Sequence, residues 1–263
     1  MSRYRFALSP RWIVSHLFVL ALVVAMVSAG LWQLRRLDEK RDRNDVVEAR
    51  TAQAEVDVEG LADPGDFDAA GDLQYRRVRA SGEYLADEEV LVRSRSLNGA
   101  PGSWVLTPLL LDDGTAVVVN RGWISNSGAL EAVPTASRAE SGPVEVSGLV
   151  RLTETRGRFG AEDPAEGVLT NLARADVARL GQQLDVAVMP FFVQLQVQRP
   201  EASSTDPPKP VPAPALDEGP HLSYAVQWFI FTTVAVVGYP LILRRRAREV
   251  EIEELPDDDL APA

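Results

Sequence analysis

His16 and His221 are the only histidines in this chain of 263 residues, which contains no cysteine. Imidazole chemistry therefore has two addresses, while disulfides, iron–sulfur clusters, thiolate zinc sites and a cysteine nucleophile are excluded. His221 stands just before an apolar block at residues 224–243, and an imidazole at the start of a membrane helix can ligate a haem iron. At helical spacing Tyr224 follows at i+3, Ala225 at i+4 and Trp228 at i+7. His221 and Trp228 then share a face across a small alanine, with room for a flat ring. The alternative is that His221 and Trp228 are ordinary anchors at the membrane–water interface. In Asn120-Arg121-Gly122-Trp123, Arg121 either grips a carboxylate or propionate in its fork or bonds backbone carbonyls at a turn tightened by Gly122. Residues 35–220 hold no histidine, so a Ser-His-Asp arrangement or a histidine zinc site cannot be assembled there. No phosphate loop or dinucleotide fingerprint is present, and no enzyme is expected.

The elements that must position these residues begin with two apolar blocks, 13–31 and 224–243, each long enough to cross the hydrocarbon core as a helix. Arg244, Arg245, Arg246 and Arg248 follow the second block at once, which puts the C-terminus in the cytoplasm. Two spans return the N-terminus to the same side. The expected organisation is a tail at 1–11, a first span at 12–34, an extracytoplasmic domain at 35–200, a proline-rich linker at 201–222, a second span at 223–243 and a charged cytoplasmic tail at 244–263. In this hairpin His16 and His221 lie at opposite faces of a core about 30 Å thick, so they cannot clamp one haem between them. His16 receives no role. A second reading of the N-terminus takes its basic start, apolar run and Val27-Ser28-Ala29 as a cleaved signal peptide. The net charge is −11, with the acidic excess in the middle of the chain, which excludes a phosphate-binding surface and nucleic acid as partner.

Between the spans, residues 38–50 are highly charged and extend the first helix as a stalk up to the Asp63-Pro64-Gly65 break. Strands are expected at 75–84, 90–97, 104–111, 115–124, 144–152 and 191–198. Turns at Asn98-Gly99 with Pro101-Gly102, at Asp112-Asp113-Gly114 and at Ser141-Gly142-Pro143 punctuate them. The continuous apolar run 116–119 predicts a central strand, and the alternation at 144–152 and 191–198 predicts strands with one face buried. Val177, Leu180 and Leu184 place a helix within 175–184, capped by Asp176. The fold class that follows is a membrane protein with two transmembrane helices flanking a mainly β (α+β) extracytoplasmic domain, built on an antiparallel sheet or partly closed barrel.

Five groups of residues carry a resemblance. They are Gly30-Leu31-Trp32-Gln33-Leu34 with Arg36 and Lys40; Tyr75-Arg76-Arg77-Val78 with Gly82 and Tyr84; Pro101-Gly102 before Leu106-Thr107-Pro108-Leu109; Val118-Val119-Asn120-Arg121-Gly122-Trp123-Ile124; and His221-Leu222-Ser223-Tyr224-Ala225 with Trp228-Phe229. In this order, between two spans, they resemble the Surfeit locus protein 1 family, the membrane-anchored assembly factors of cytochrome c oxidase. The resemblance implies a non-enzymatic factor of the cell membrane that aids maturation of oxidase subunit I, receiving haem a from haem a synthase or helping to insert it. It makes His221 a candidate haem ligand, with Tyr224, Trp228 and Arg121 as further cofactor-binding candidates, and it names subunit I, haem a synthase and the lipid bilayer as partners. Glu39 departs from the family, whose members often carry an aromatic there. Three competing readings remain: a scaffold for respiratory assembly that never touches haem, a two-span sensor of extracytoplasmic ligands, and a membrane hydrolase working through carboxylates. The cytoplasmic part after Leu243 has only 20 residues, so a sensor would need a partner to transmit its signal.

Overall fold

The computed structural model describes residues 4–126 and 130–253. The charged tail expected at 244–263 lies partly outside the described residues. The elements are α1 (Pro10–Thr51), β1 (Val56–Asp57), β2 (Arg77–Tyr84), β3 (Val90–Leu97), β4 (Ala100–Leu111) and β5 (Ala116–Ser125). They continue with β6 (Pro143–Leu152), β7 (Asn171–Leu172), α2 (Val177–Gly181), β8 (Val188–Arg199) and α3 (His221–Glu253). The chain divides into two units, one of residues 1–45 and 216–263, the other of residues 46–215.

The first unit is a pair of helices. Past Pro10, α1 contains no proline, and its apolar run passes directly into the charged stretch 38–50 without a break. The charged stretch stays helical because its Asp, Glu, Lys and Arg residues are solvated, and Arg36 pairs with Glu39 at i+3. Both helices are long and apolar enough to cross a membrane. Leu17, Phe18 and Val234 project outward, each more than 60% exposed. A soluble core helix would bury such side chains, whereas lipid solvates them. Pro240 sits inside α3 and removes one backbone donor, a loss that membrane helices tolerate.

The second unit is an eight-stranded sheet in the order β1-β2-β6-β8-β5-β4-β3-β7. The sheet is mixed, not antiparallel as expected: β1 with β2, β3 with β7 and β5 with β8 run parallel. The reason is connection length. Short turns join β3, β4 and β5 and force antiparallel neighbours. The chain between β5 and β8, which includes β6, is long enough to cross over, so β8 runs parallel to β5 while pairing antiparallel with β6. β2 also meets β4 over three residue pairs, Gly82–Tyr84 against Leu109–Leu111. That short contact bends the sheet back on itself without making a uniform barrel.

β5 is buried along its whole length except Ser125. Val117 and Val119 enter one hydrophobic cluster with Phe191 and Val193 of β8 and Leu109 of β4. Val118 enters the cluster on the opposite face, with Phe192 of β8 and with Val177 and Leu180 of α2. Helix α2 begins where its cap was expected, the Asp176 carboxylate accepting the Arg179 N–H at 2.9 Å.

The Asn98-Gly99 turn is left-handed at both residues, φ 52° and 80°, the conformation that a two-residue hairpin requires. Pro101-Gly102 is not a turn as expected. It lies inside β4, where an ideal Cβ on Gly102 would stand 2.2 Å from the Trp123 indole. The glycine serves close packing there.

Residues 201–220 contain no helix or strand, yet part of the stretch is fastened to the sheet as a strap. Trp123 N–H donates to Lys209 O at 2.7 Å and Lys209 N–H returns the bond to Trp123 O at 2.8 Å. Gln194 Nε2 donates to the carbonyls of Val211 and Pro212, and Ser137 Oγ donates to Asp206 O. Gly122 permits this approach: its φ is +141°, and an added Cβ would lie 2.5 Å from Lys209 O. Gly122→Val is therefore expected to detach the strap and to destabilise the sheet unit by about 1–3 kcal/mol. Hydrogen exchange at the Lys209 amide checks this, slow in the wild type and fast in the variant.

Candidate functional site

In the helix pair, His221 is the first residue of α3 and is half-buried. Its Nδ1 lies 2.8 Å from Gln33 Oε1 of α1. Two turns further along α3 the Phe229 ring fits against Gly30, where an ideal Cβ would stand 2.9 Å from it. Ala225, four residues after His221 and four before Phe229, is 1% exposed. His221, Ala225 and Phe229 thus form the α1-facing stripe of α3, and Gly30 and Gln33, three apart, lie opposite it. The interval over Ala225, expected to be open for a flat ring, is closed by this packing. Trp228 sits one position round the helix, half-buried and edge-on to Phe231 at 6.1 Å. Tyr224 is exposed.

The same seam continues beyond His221. Arg41 holds Glu218 through two bonds of 3.0 Å each, and Asn44 Nδ2 donates to Leu216 O at 2.9 Å. His16 occupies the opposite end of the pair and uses both ring nitrogens: Nδ1 is 2.7 Å from the Tyr239 hydroxyl and Nε2 is 3.0 Å from Ala7 O. Along α1, the 17 residues from His16 to Gln33 amount to about 25 Å at 1.5 Å per residue. The two histidines are separate, as their positions in the sequence implied.

Arg121 belongs to the sheet unit. Its side chain is 4% exposed and its Nη1 donates to Glu89 Oε2 at 3.2 Å and to Ser137 O at 3.0 Å. Glu89, 2% exposed, also accepts from Thr107 Oγ1, Arg138 Nε and the Ala139 N–H. Arg121 bonds a carbonyl as one reading expected, but not at a turn: Gly122 lies inside β5, and the carboxylate that Arg121 meets, through Nη1, is that of Glu89. Burial lowers the guanidinium pKa below its ordinary value, opposed by Tyr84 and Glu89, and burial raises that of the Tyr84 phenol. Another side of Arg121 lines a cavity of about 290 Å³ under the strap, with Gln198, Glu201, Pro207 and Pro208. Among the described residues no group of three or more His, Cys, Asp or Glu is placed to hold a metal ion.

Two residues that matter here carried no role in the sequence. Gln33 was visible only as part of the 30–34 motif, although its i+3 spacing from Gly30 marks a shared helix face. Glu89 lies 32 positions from Arg121 and gives no local signal. Glu89→Ala is expected to cost about 3–5 kcal/mol, because it leaves a buried guanidinium unpaired, whereas Asp87→Ala, which frees only a half-exposed Arg138, is expected to cost at most about 1 kcal/mol. Urea unfolding of the two variants separates them.

A sequence model described as the SURF1 family matches residues 20–233. An uncharacterized SURF1-like protein of Mycobacterium bovis is 28% identical over 263 residues, covering 98% of this chain and 94% of the relative. The cytochrome oxidase assembly protein SHY1 of Saccharomyces cerevisiae is 35% identical over 112 residues, 41% of this chain and 28% of the relative. The surfeit locus protein 1 of Takifugu rubripes is 28% identical over 165 residues, 57% of this chain and 66% of the relative. The matched interval takes in most of the apolar part of α1, the whole sheet unit and the start of α3 with His221, and on that extent the chain belongs to the SURF1 family.

Proposed function

We propose that this protein is a membrane-anchored assembly factor of cytochrome oxidase that carries haem a transiently toward subunit I and performs no catalysis of its own. The observation that carries the assembly reading is the 35% identity to a yeast protein named as a cytochrome oxidase assembly protein. The two apolar helices support the anchoring. Arg244, Arg245, Arg246 and Arg248 directly after the second apolar block favour cytoplasmic termini, with the sheet unit on the other side of the membrane. Haem a synthase is the proposed donor of the haem.

Haem is the cargo in this proposal, and His221 at the start of α3 would supply a nitrogen ligand to its iron. With Gln33 at Nδ1, His221 Nε2 has no hydrogen-bond partner among the described residues and can ligate as a neutral imidazole. Because Ala225 is covered, the residues that would hold a haem beside His221 are the exposed Tyr224 and the half-buried Trp228, which offer aromatic surface. Arg121 has no part in this proposal, since it lies buried in the sheet unit with its charge paired to Glu89. The covered Ala225 also favours a second reading, a scaffold that holds oxidase components without touching haem.

A visible spectrum of the detergent-purified full chain, co-expressed with haem a synthesis, tests the choice. A haem a band is expected in the wild type and at least tenfold less of it in His221→Ala. No band in either protein would overturn the haem reading and leave the scaffold.

A further inference from the structure

We infer that Gln33 is a positioning residue that fixes the tautomer of His221, so that the lone pair of Nε2, and not that of Nδ1, is the one presented to a ligand. The inference rests on the haem-carrying reading for its purpose but not for its geometry. A neutral imidazole carries one proton, and its two nitrogens exchange donor and acceptor roles with it. Gln33 Oε1 accepts only, so at 2.8 Å it selects the form with the proton on Nδ1. Reversing the Gln33 amide would bring an N–H to Nδ1 and select the opposite tautomer, in which Nε2 carries the proton and cannot bind a metal. One glutamine orientation therefore separates a competent from an incompetent ligand.

The surroundings hold Gln33 where this choice is made. Gly30, one helical turn earlier, lets the Phe229 ring sit where a side chain would otherwise stand, which brings the two backbones close enough for a direct side-chain bond. On the other side, the Arg41–Glu218 pair and the Asn44–Leu216 bond fasten the segment leading into His221. His221 is thus fixed from both directions along one seam. A histidine ligand whose second nitrogen donates to an oxygen is held in orientation and made more basic, and loss of such a partner weakens metal affinity about 10- to 100-fold. The structure thereby gives the Gly30 and Gln33 positions one shared task, presenting His221.

Only two histidines exist in the chain, so nitrogen-15 NMR of the histidine-labelled full chain in detergent, free of haem, reads the tautomer directly. His221→Ala assigns the two signals, and His16, with both nitrogens bonded at the far end, reports whether the helix pair is intact. The wild type is expected to show His221 protonated at Nδ1. Gln33→Met, similar in shape but without the acceptor, is expected to lose that preference and retain haem a about 10- to 100-fold less well. Gln33→Glu keeps an acceptor oxygen and is expected to preserve both properties. A wild-type His221 protonated at Nε2, or a Gln33→Met protein with unchanged tautomer, would overturn the inference. If Gln33→Met disturbs His16, Gln33→Glu decides in its place, since loss of the Nδ1 proton preference there is equally fatal. A wild type that binds no haem a defeats the haem reading instead, and the tautomer comparison still stands by itself.

Discussion

The sheet unit depends on one constraint, that β5 must be dry on both faces. A strand with the sequence Ala116-Val117-Val118-Val119 has no polar side to offer water, so packed layers have to cover it above and below. Val117 and Val119 recruit β4 and β8 on one side, while Val118 recruits α2 and β8 on the other. The same strand carries Arg121 into the interior, where Glu89 must meet it, and then Gly122 and Trp123, which receive the strap. Removing an apolar contact here would cost a few kcal/mol. Unpairing the ion cluster would cost a comparable amount, because desolvated charges have no solvent to fall back on.

The helix pair obeys a different rule. Between apolar helices in lipid there is no hydrophobic gain from association, so contact is stabilised by close packing at small residues and by polar bonds across the seam. Gly30 against Phe229 supplies the first, and His221 with Gln33 and Tyr239 with His16 and Ser15 supply the second. The polar contacts stand near the two ends of the seam, with the apolar packing between them. Register is fixed at both ends, and α3 cannot rotate or slide by a turn without leaving imidazole and amide groups unmatched.

Much of this was legible in the residues. Alternation at 144–152 and 191–198 and the unbroken run at 116–119 located β6, β8 and β5. Asn98-Gly99 located a hairpin turn through its need for positive φ, and Asp176 located the start of α2. What was not legible is whatever depends on distant chain. β1 and β7 are two residues each and have no period to detect. The parallel course of β8 beside β5 follows from a long crossover, and nothing within either strand records it. Gly102 looked like turn chemistry because glycine serves close approach as readily as it serves bends, and only the indole of Trp123 distinguishes the two. Arg121 was marked as a charged fork without its partner, since Glu89 is brought to it by the pairing of β3, β4 and β5.

The two histidines show how such long-range placement decides chemistry that composition leaves open. His16 lies within the first apolar block and His221 just before the second, and both bond to the neighbouring helix, so residue type alone does not separate them. His16 has an oxygen at each nitrogen, which leaves the ring no lone pair to give away: it is a fastening. Among the described residues His221 has a partner at Nδ1 and none at Nε2, which leaves the ring one lone pair in a fixed direction. The difference arises from Gln33 and Gly30, 188 and 191 positions away in the chain. The orientation of the His221 ring is therefore a property of the seam between α1 and α3, and an isolated α3 peptide would present the same imidazole without the Gln33 contact that orients it.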